Sequence, residues 1–354
     1  MKGLILSGGF GTRLRPITHT SAKQLIPVAN KPVLFYGIEA IRDSGITDVG
    51  IVVGDTRKEI MEAVGDGSKW GVKVTYIHQE EPLGLAHAVL VSEEFIDNEP
   101  FVMYLGDNLI KDGIANLVDE FERKKPHSMI LLAKVPNPKQ FGVAELEKGR
   151  IVKLVEKPKK PKSNLALVGV YMFDANIFKA AKAINPSGRG ELEITDAIQW
   201  LVDEGYDVQP HTVTGWWKDT GKLEDLLEAN RMLLDDLETS IEGKVDSDSE
   251  VYFKVFVGKG AKIQNSTLRG PATIGEGAQI IDSFIGPFTS IAPGVEIVGS
   301  EIEHSILLQD CKVSNIKTRI VDSLIGRDVE VSESNLKPKA FRFVLGDNSK
   351  VGIF

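Results

Sequence analysis

KGLILSGGFGTRLRPIT, residues 2–18, is the stretch on which the fold turns. Lys2 to Ser7 form a short apolar run that predicts a strand. The chain then bends through Gly8, Gly9 and Gly11 into Thr12 and Arg13. A strand ending in glycines and a cation marks the carboxyl edge of an α/β sheet, where such folds bind ligands. Glycines let backbone N–H groups approach an anion closely, and a guanidinium offers a fork of donors matched to phosphate. The dinucleotide fingerprint is incomplete, because Leu14 stands at the third glycine position, and no Gly-Lys-Ser/Thr follows as a P-loop requires. Taken alone, the glycines also fit a tight turn with solvated cations. Lys23, ten residues beyond Arg13, tips the reading towards a polyphosphate site.

Outward from this loop, further strands are predicted at 49–54, 72–78, 101–106 and 128–135. Helical spacing lies between and after them: Ile114, Leu117, Val118 and Phe121 fall on one face, as do Leu223, Leu226, Leu227, Leu233, Leu234 and Leu237. Alternating strands and helices predict an α/β domain with a mostly parallel sheet over 1–237. The acidic, aperiodic segment 238–250 reads as a linker. From 251 to 354 the texture changes. Val257-Gly-Lys-Gly-Ala-Lys-Ile263 recurs at Ile274, at Ile291 and, more weakly, at Leu307 and Ile325, with apolar residues six apart inside each copy. One repeat of three sixes describes a triangular coil, the hexapeptide parallel β-helix. Cys311 takes a small inward position of that coil.

The 354 residues suit two domains, and 42% hydrophobic with 26% charged residues is an ordinary globular balance. No apolar run is long enough for a membrane helix and the start turns glycine-rich too early for a signal peptide, so a cytoplasmic protein without a membrane partner is expected. A net charge of -8 argues against nucleic acid as a partner. A single cysteine excludes an internal disulfide, and no Cys/His cluster has zinc spacing.

The chain resembles the sugar-1-phosphate nucleotidylyltransferases. LSGGFGTRLRPIT, at 6–18, followed by KQLIPVANKP, at 23–32, matches that family's signature. HQEEPLGLAHAV, LGDN, FGVAEL, VEKP, GVYMFD, RGELEITD and WWKDTGKLEDLLEAN follow in the family's order and cover most of 1–237. KQL, QEEPLGLAHA and RGELEITD resemble the glucose-1-phosphate thymidylyltransferases most, and the repeat region with the ending LGDNSKVGIF resembles their long form. The resemblance implies a Rossmann-like nucleotidyltransferase domain, a left-handed sense for the β-helix, and conversion of dTTP and glucose 1-phosphate to dTDP-glucose and pyrophosphate with Mg2+.

Residue by residue, the resemblance implies catalytic roles for Arg13, Lys23 and Lys157, and Mg2+ ligation by Asp107 and Asp219. The nucleotide falls to Leu6, Gly8, Gly9, Gly11, Thr12, Arg13, Gln24, Gln79, Pro82, Gly84, Leu85, Gly106 and Asp107. The sugar phosphate falls to Asn108, Gly142, Glu156, Lys157, Val168, Tyr171, Arg189, Glu191 and Trp217. An amide at Gln79 can both donate to and accept from a pyrimidine edge. His78 and His87 lie among these loops and read as structural histidines.

Two other readings stand beside this one. Left-handed β-helices often carry acyltransferase activity, for which His304 is the one histidine beyond residue 211; the enzyme would then be UTP-dependent and bifunctional. A regulatory subunit without activity would keep the fold, but Arg13, Lys23, Asp107, Lys157 and Asp219 are all retained. A solenoid with open ends and flat faces suggests a homo-oligomer. The apolar tail from Phe341 to Phe354 is expected to dock.

Overall fold

The computed structural model describes residues 1–9 and 11–333, so the expected docking of 341–354 lies outside the described residues. Two compact units are present. The first comprises Met1–Phe10, Ser21–Leu25 and Val33–Asp219; the second comprises Gly11–Thr20, Ile26–Pro32 and Thr220–Phe354. This division differs from a boundary at 237, because two segments of the glycine-loop region cluster with the C-terminal residues.

The first unit is built on a nine-stranded sheet. Strand Lys2–Ser7 lies at its heart, parallel to Asp48–Val53 on one side and to Phe101–Leu105 on the other, with Lys73–His78 parallel beyond. The other half turns antiparallel around the long strand Leu165–Phe173, which pairs with Phe101–Leu105, Ser128–Lys134 and Gly142–Glu147. Successive side chains on a strand face opposite ways, so the sheet feeds two cores. Leu4 and Leu6 enter one and Ile5 the other, and Val52 is separated in the same way from Ile51 and Val53. Helix Ala115–Lys124 buries Leu117, Val118 and Phe121, as the spacing predicts.

The second unit is a left-handed parallel β-helix of three parallel sheets, with six, six and five strands. Val257, Ile274, Ile291, Leu307 and Ile325 stack in register along one side, at the positions the repeat predicts. Gly260, Gly277 and Gly294 turn the corners with φ of 74°, 68° and 72°, and Asp310 and Asp328 take the same left-handed conformation in the weaker copies. Cys311 is fully buried and its thiol donates to the Leu308 carbonyl at 2.6 Å; burial pushes its pKa up to about 11. It belongs to the packing of the coil.

Serines stitch one coil to the next. Ser266 Oγ accepts the Ser283 N–H at 3.0 Å, Ser283 Oγ that of Ser300 at 3.2 Å, and Ser300 Oγ that of Ile316 at 3.1 Å. The stretch 238–250, expected as a linker, already contains coil: Ser240–Ile241 and Lys244–Val245 pair in parallel with the following turn. Two-residue strands carry too few side chains to register as a period. Helix Leu223–Leu234, in the same unit, places Asn230 fully buried, where its Oδ1 accepts from the Ala29 N–H at 2.8 Å and the Ser290 hydroxyl at 2.6 Å, while its Nδ2 donates to the Phe288 carbonyl at 2.9 Å.

Candidate active site

The carboxyl edge of the central strand is shaped by close backbone approach. A Cβ on Gly8 would lie 3.2 Å from Gln79 Oε1, and one on Gly9 3.3 Å from Lys23 Cε. The Gly106 N–H donates to the Leu6 carbonyl at 2.9 Å, which ties the end of Phe101–Leu105 to the end of the first strand. Asp107 emerges at that junction. Its side chain is 15% exposed, and Oδ2 pairs with Lys23 Nζ while Oδ1 accepts from Asn108 Nδ2 at 2.9 Å. Burial pushes the Asp107 carboxyl up, but the charge and hydrogen bond of Lys23, joined by the Asn108 amide, outweigh it and hold the pKa below the ordinary carboxylate value.

Asn108 organises the other side. Its Oδ1 accepts from Trp217 Nε1 at 2.6 Å and from the Gly169 N–H at 3.2 Å. A Cβ at Gly169 would lie 2.6 Å from the Asn108 amide, so only glycine lets the two approach. Strand Trp217–Asp219 runs antiparallel to Asn108–Ile110, with Asp219 opposite Asn108. Asp219 is thereby placed opposite the residue that follows Asp107, more than a hundred positions away in sequence. Aspartates offer hard oxygen donors of the kind Mg2+ takes, since that ion characteristically binds one or two carboxylates and completes its shell with phosphate and water. Among the described residues no group of three or more His, Cys, Asp or Glu side chains forms a cage of its own.

Lys157, Arg189 and Gly142, three of the residues that the resemblance gives to the sugar phosphate, lie beside Glu156. Its Oε2 accepts from the Thr195 hydroxyl at 2.7 Å, and its Oε1 lies 3.2 Å from Lys157 Nζ and 3.5 Å from Arg189. A Cβ on Gly142 would meet Thr195 Oγ1 at 2.8 Å and Glu156 Oε2 at 3.2 Å. Arg189 lies here too, its guanidinium held by Glu193 at 2.7 and 2.8 Å, with Glu191 at 3.3 Å. Burial, followed by Glu193 and Glu156, raises the carboxyl of neighbouring Asp196. Tyr171 is 4% exposed and stacked on Phe173, and its hydroxyl is pushed up by burial and by Glu156. Val168 is fully buried in the opposite core, so its side chain is structural and only its backbone could serve a ligand. Trp217 meets Phe141 edge to face at 5.3 Å.

At the third cluster, Gln79 is 8% exposed. Its Nε2 donates to the Gly84 carbonyl at 3.3 Å and to His87 Nδ1 at 2.9 Å. Gly84 has φ of 108°, and a Cβ there would strike the Leu192 carbonyl at 2.4 Å. The Leu192 N–H and carbonyl bond to Leu83 and Ala86, so the loop at 83–86 is pinned to the RGELEITD segment. Gln24 is 1% exposed and its Oε1 has no hydrogen-bond partner among the described residues, Pro82 is exposed, and Leu85 opens helix Leu85–Leu90. Thr12 and exposed Arg13 lie in the short helical turn Thr12–Leu14 of the second unit, capped by Gly11 at φ 62°; the Gly11 carbonyl accepts from Thr18 at 2.7 Å. Sequence reasoning did not single out Thr195, Glu193 and Leu192, although all three lie within or beside the quoted RGELEITD motif. His87 was noted only as structural.

Residues 2–236 match the family model described as Nucleotidyl transferase. The chain belongs to the nucleotidyl transferase family. Among relatives of this nucleotidyl transferase, the glucose-1-phosphate thymidylyltransferase of Streptomyces antibioticus is 57% identical over 100% of this chain and 99% of its own length. A low-salt glycan biosynthesis nucleotidyltransferase of Haloferax volcanii is 46% identical over 99% of both chains. Among solved structures, a Bacillus anthracis chain assigned as a glucose-1-phosphate thymidylyltransferase and crystallised with sucrose is 38% identical, with a TM-score of 0.63 over 68% of this chain and 97% of that one.

Proposed function

We propose that the protein transfers a thymidylyl group from dTTP to α-D-glucose 1-phosphate, releasing pyrophosphate and forming dTDP-glucose. End-to-end identity of 57% to a glucose-1-phosphate thymidylyltransferase carries this reading. The attacking group is a phosphate oxygen, already largely ionised near pH 7 because its second pKa is about 6. No general base is required. The work left to the protein is to hold two polyanions in line and to balance the charge that accumulates on departing pyrophosphate.

Asp107 and Asp219 would hold Mg2+, which supplies charge neutralisation at the phosphates when bound. Gly8, Gly9 and Gly11 present backbone to the triphosphate, and Arg13 supplies a fixed positive charge. Lys23, paired with Asp107, is the second cation for the triphosphate. Lys157 takes the sugar phosphate, with Glu156 and Glu191 accepting from sugar hydroxyls and Gly142 offering backbone. Arg189, fastened to Glu193, orders these carboxylates. The protein works in the cytoplasm, as a homo-oligomer, without nucleic acid. No helix among the described residues is long and apolar enough to cross a membrane.

The reading is tested by pyrophosphate release across dTTP, UTP, CTP and ATP with several sugar 1-phosphates, with Mg2+ present or chelated. Release that needs Mg2+ and is fastest with dTTP and glucose 1-phosphate is expected. Faster turnover with UTP, or release that survives chelation, overturns the assignment.

A further inference from the structure

Both hydrogens of the Gln79 amide are committed within the protein. Nε2 donates to the Gly84 carbonyl at 3.3 Å and lies 2.9 Å from His87 Nδ1. An amide nitrogen only donates, so in this contact Nδ1 is the acceptor, the role it has in the tautomer that carries its proton on Nε2. The amide is left with one group to offer. Oε1 receives no hydrogen bond among the described residues and faces the glycine loop, 3.2 Å from the position of a Cβ on Gly8.

We propose that His87 is a specificity-determining positioning residue: its Nδ1 locks the Gln79 amide with the carbonyl oxygen towards the base, so that the site takes pyrimidines carrying N3–H and rejects cytosine. The inference rests on the nucleotidyl-transfer reading above. Thymine presents N3–H as a donor to that oxygen. Cytosine has a lone pair on N3, which would oppose it. A free amide could turn over and meet cytosine N3 with an N–H, so side-chain chemistry at Gln79 alone does not discriminate; the orientation does. A site built to bond a substrate N–H can reject an analogue lacking it far more strongly than an apolar pocket rejects a missing methyl. His87 is carried on helix Leu85–Leu90, whose neighbouring residues Ala86, Ala88 and Val89 are buried, so its ring is presented from a rigid element.

The test compares kcat/KM for dTTP and dCTP, with glucose 1-phosphate saturating, in the intact protein and in His87→Leu, His87→Ala and His87→Gln. The unsubstituted protein should favour dTTP. Loss of the acceptor in the Leu and Ala variants should shrink the dTTP/dCTP ratio about tenfold, chiefly through a higher KM for dTTP. Glutamine offers an amide oxygen to Nε2 of Gln79, so His87→Gln should recover most of the ratio. A ratio unmoved in His87→Leu and His87→Ala overturns the inference, as does a His87→Gln variant as indiscriminate as the leucine variant. An unsubstituted protein that uses dCTP as well as dTTP instead removes the thymidylyl reading itself, and the inference with it.

Discussion

Asp107 stays ionised in a largely buried position because Lys23 lies against it. Its depressed pKa contributes stability that is present above the unfolded carboxylate value, about 3.9, and is lost as pH falls through the lower folded value. Lys23→Met should reverse the balance, since burial then acts with less opposition and raises the Asp107 pKa. The variant should melt below the parent at pH 7, and the gap should narrow on acidification as the carboxyl takes up a proton. Thermal melting from pH 7 to pH 4 reads this directly; a gap that widens in acid contradicts the account. For the chemistry, Asp107→Asn and Asp219→Asn should each lower turnover by about two to three decades, the size expected when one preorganised electrostatic group is removed. Pyrophosphate release near the parent rate in both would refute the metal role.

At the scale of elements, short strands held edge to edge carry the molecule's second half. Each coil of the β-helix contributes only two or three residues per side, and its serines pass hydrogen bonds from one coil to the next. Ser283→Ala should leave the buried Ser300 N–H without its acceptor and cost about 1–3 kcal/mol, measurable by denaturant unfolding. Asn230→Ala removes three bonds at once from a fully buried site and should cost more, about 2–4 kcal/mol. If the alanine variant at Asn230 unfolds with the parent midpoint, that asparagine does not hold its helix to the coil. These interactions join residues that the repeat pattern alone leaves unconnected, because a period describes the coil and not what it touches.

For the whole molecule, the second unit draws together three segments distant in sequence, so the β-helix is more than an appended tail. Asn30 Nδ2 donates to the Ile291 carbonyl at 2.7 Å, across 261 positions. A chain ending at residue 239 should therefore lose the coil partners of Asn30 and, for Asn230, Phe288 and Ser290, melt at a lower temperature and be cleaved faster by protease within 26–32. Unchanged melting and cleavage would show that the coil is dispensable to that segment.

Strand Lys2–Ser7, the stripe Ile114 to Phe121 and the register of Val257, Ile274 and Ile291 were legible in the sequence because side-chain period and local turn chemistry act over a few residues. The glycine loop and the family motifs were legible by residue type. Long-range register was decided only in three dimensions: Asp219 comes opposite Asn108 through an antiparallel pairing that no local pattern encodes. The same holds for the short strands inside 238–250, where Ile241 and Val245 are too few to show a period. Orientation was decided there too, since glutamine at position 79 could present either end of its amide until Gly84 and His87 took both hydrogens. Composition and spacing fix which groups a segment can offer; packing between distant segments fixes which of those groups remain free to meet a ligand.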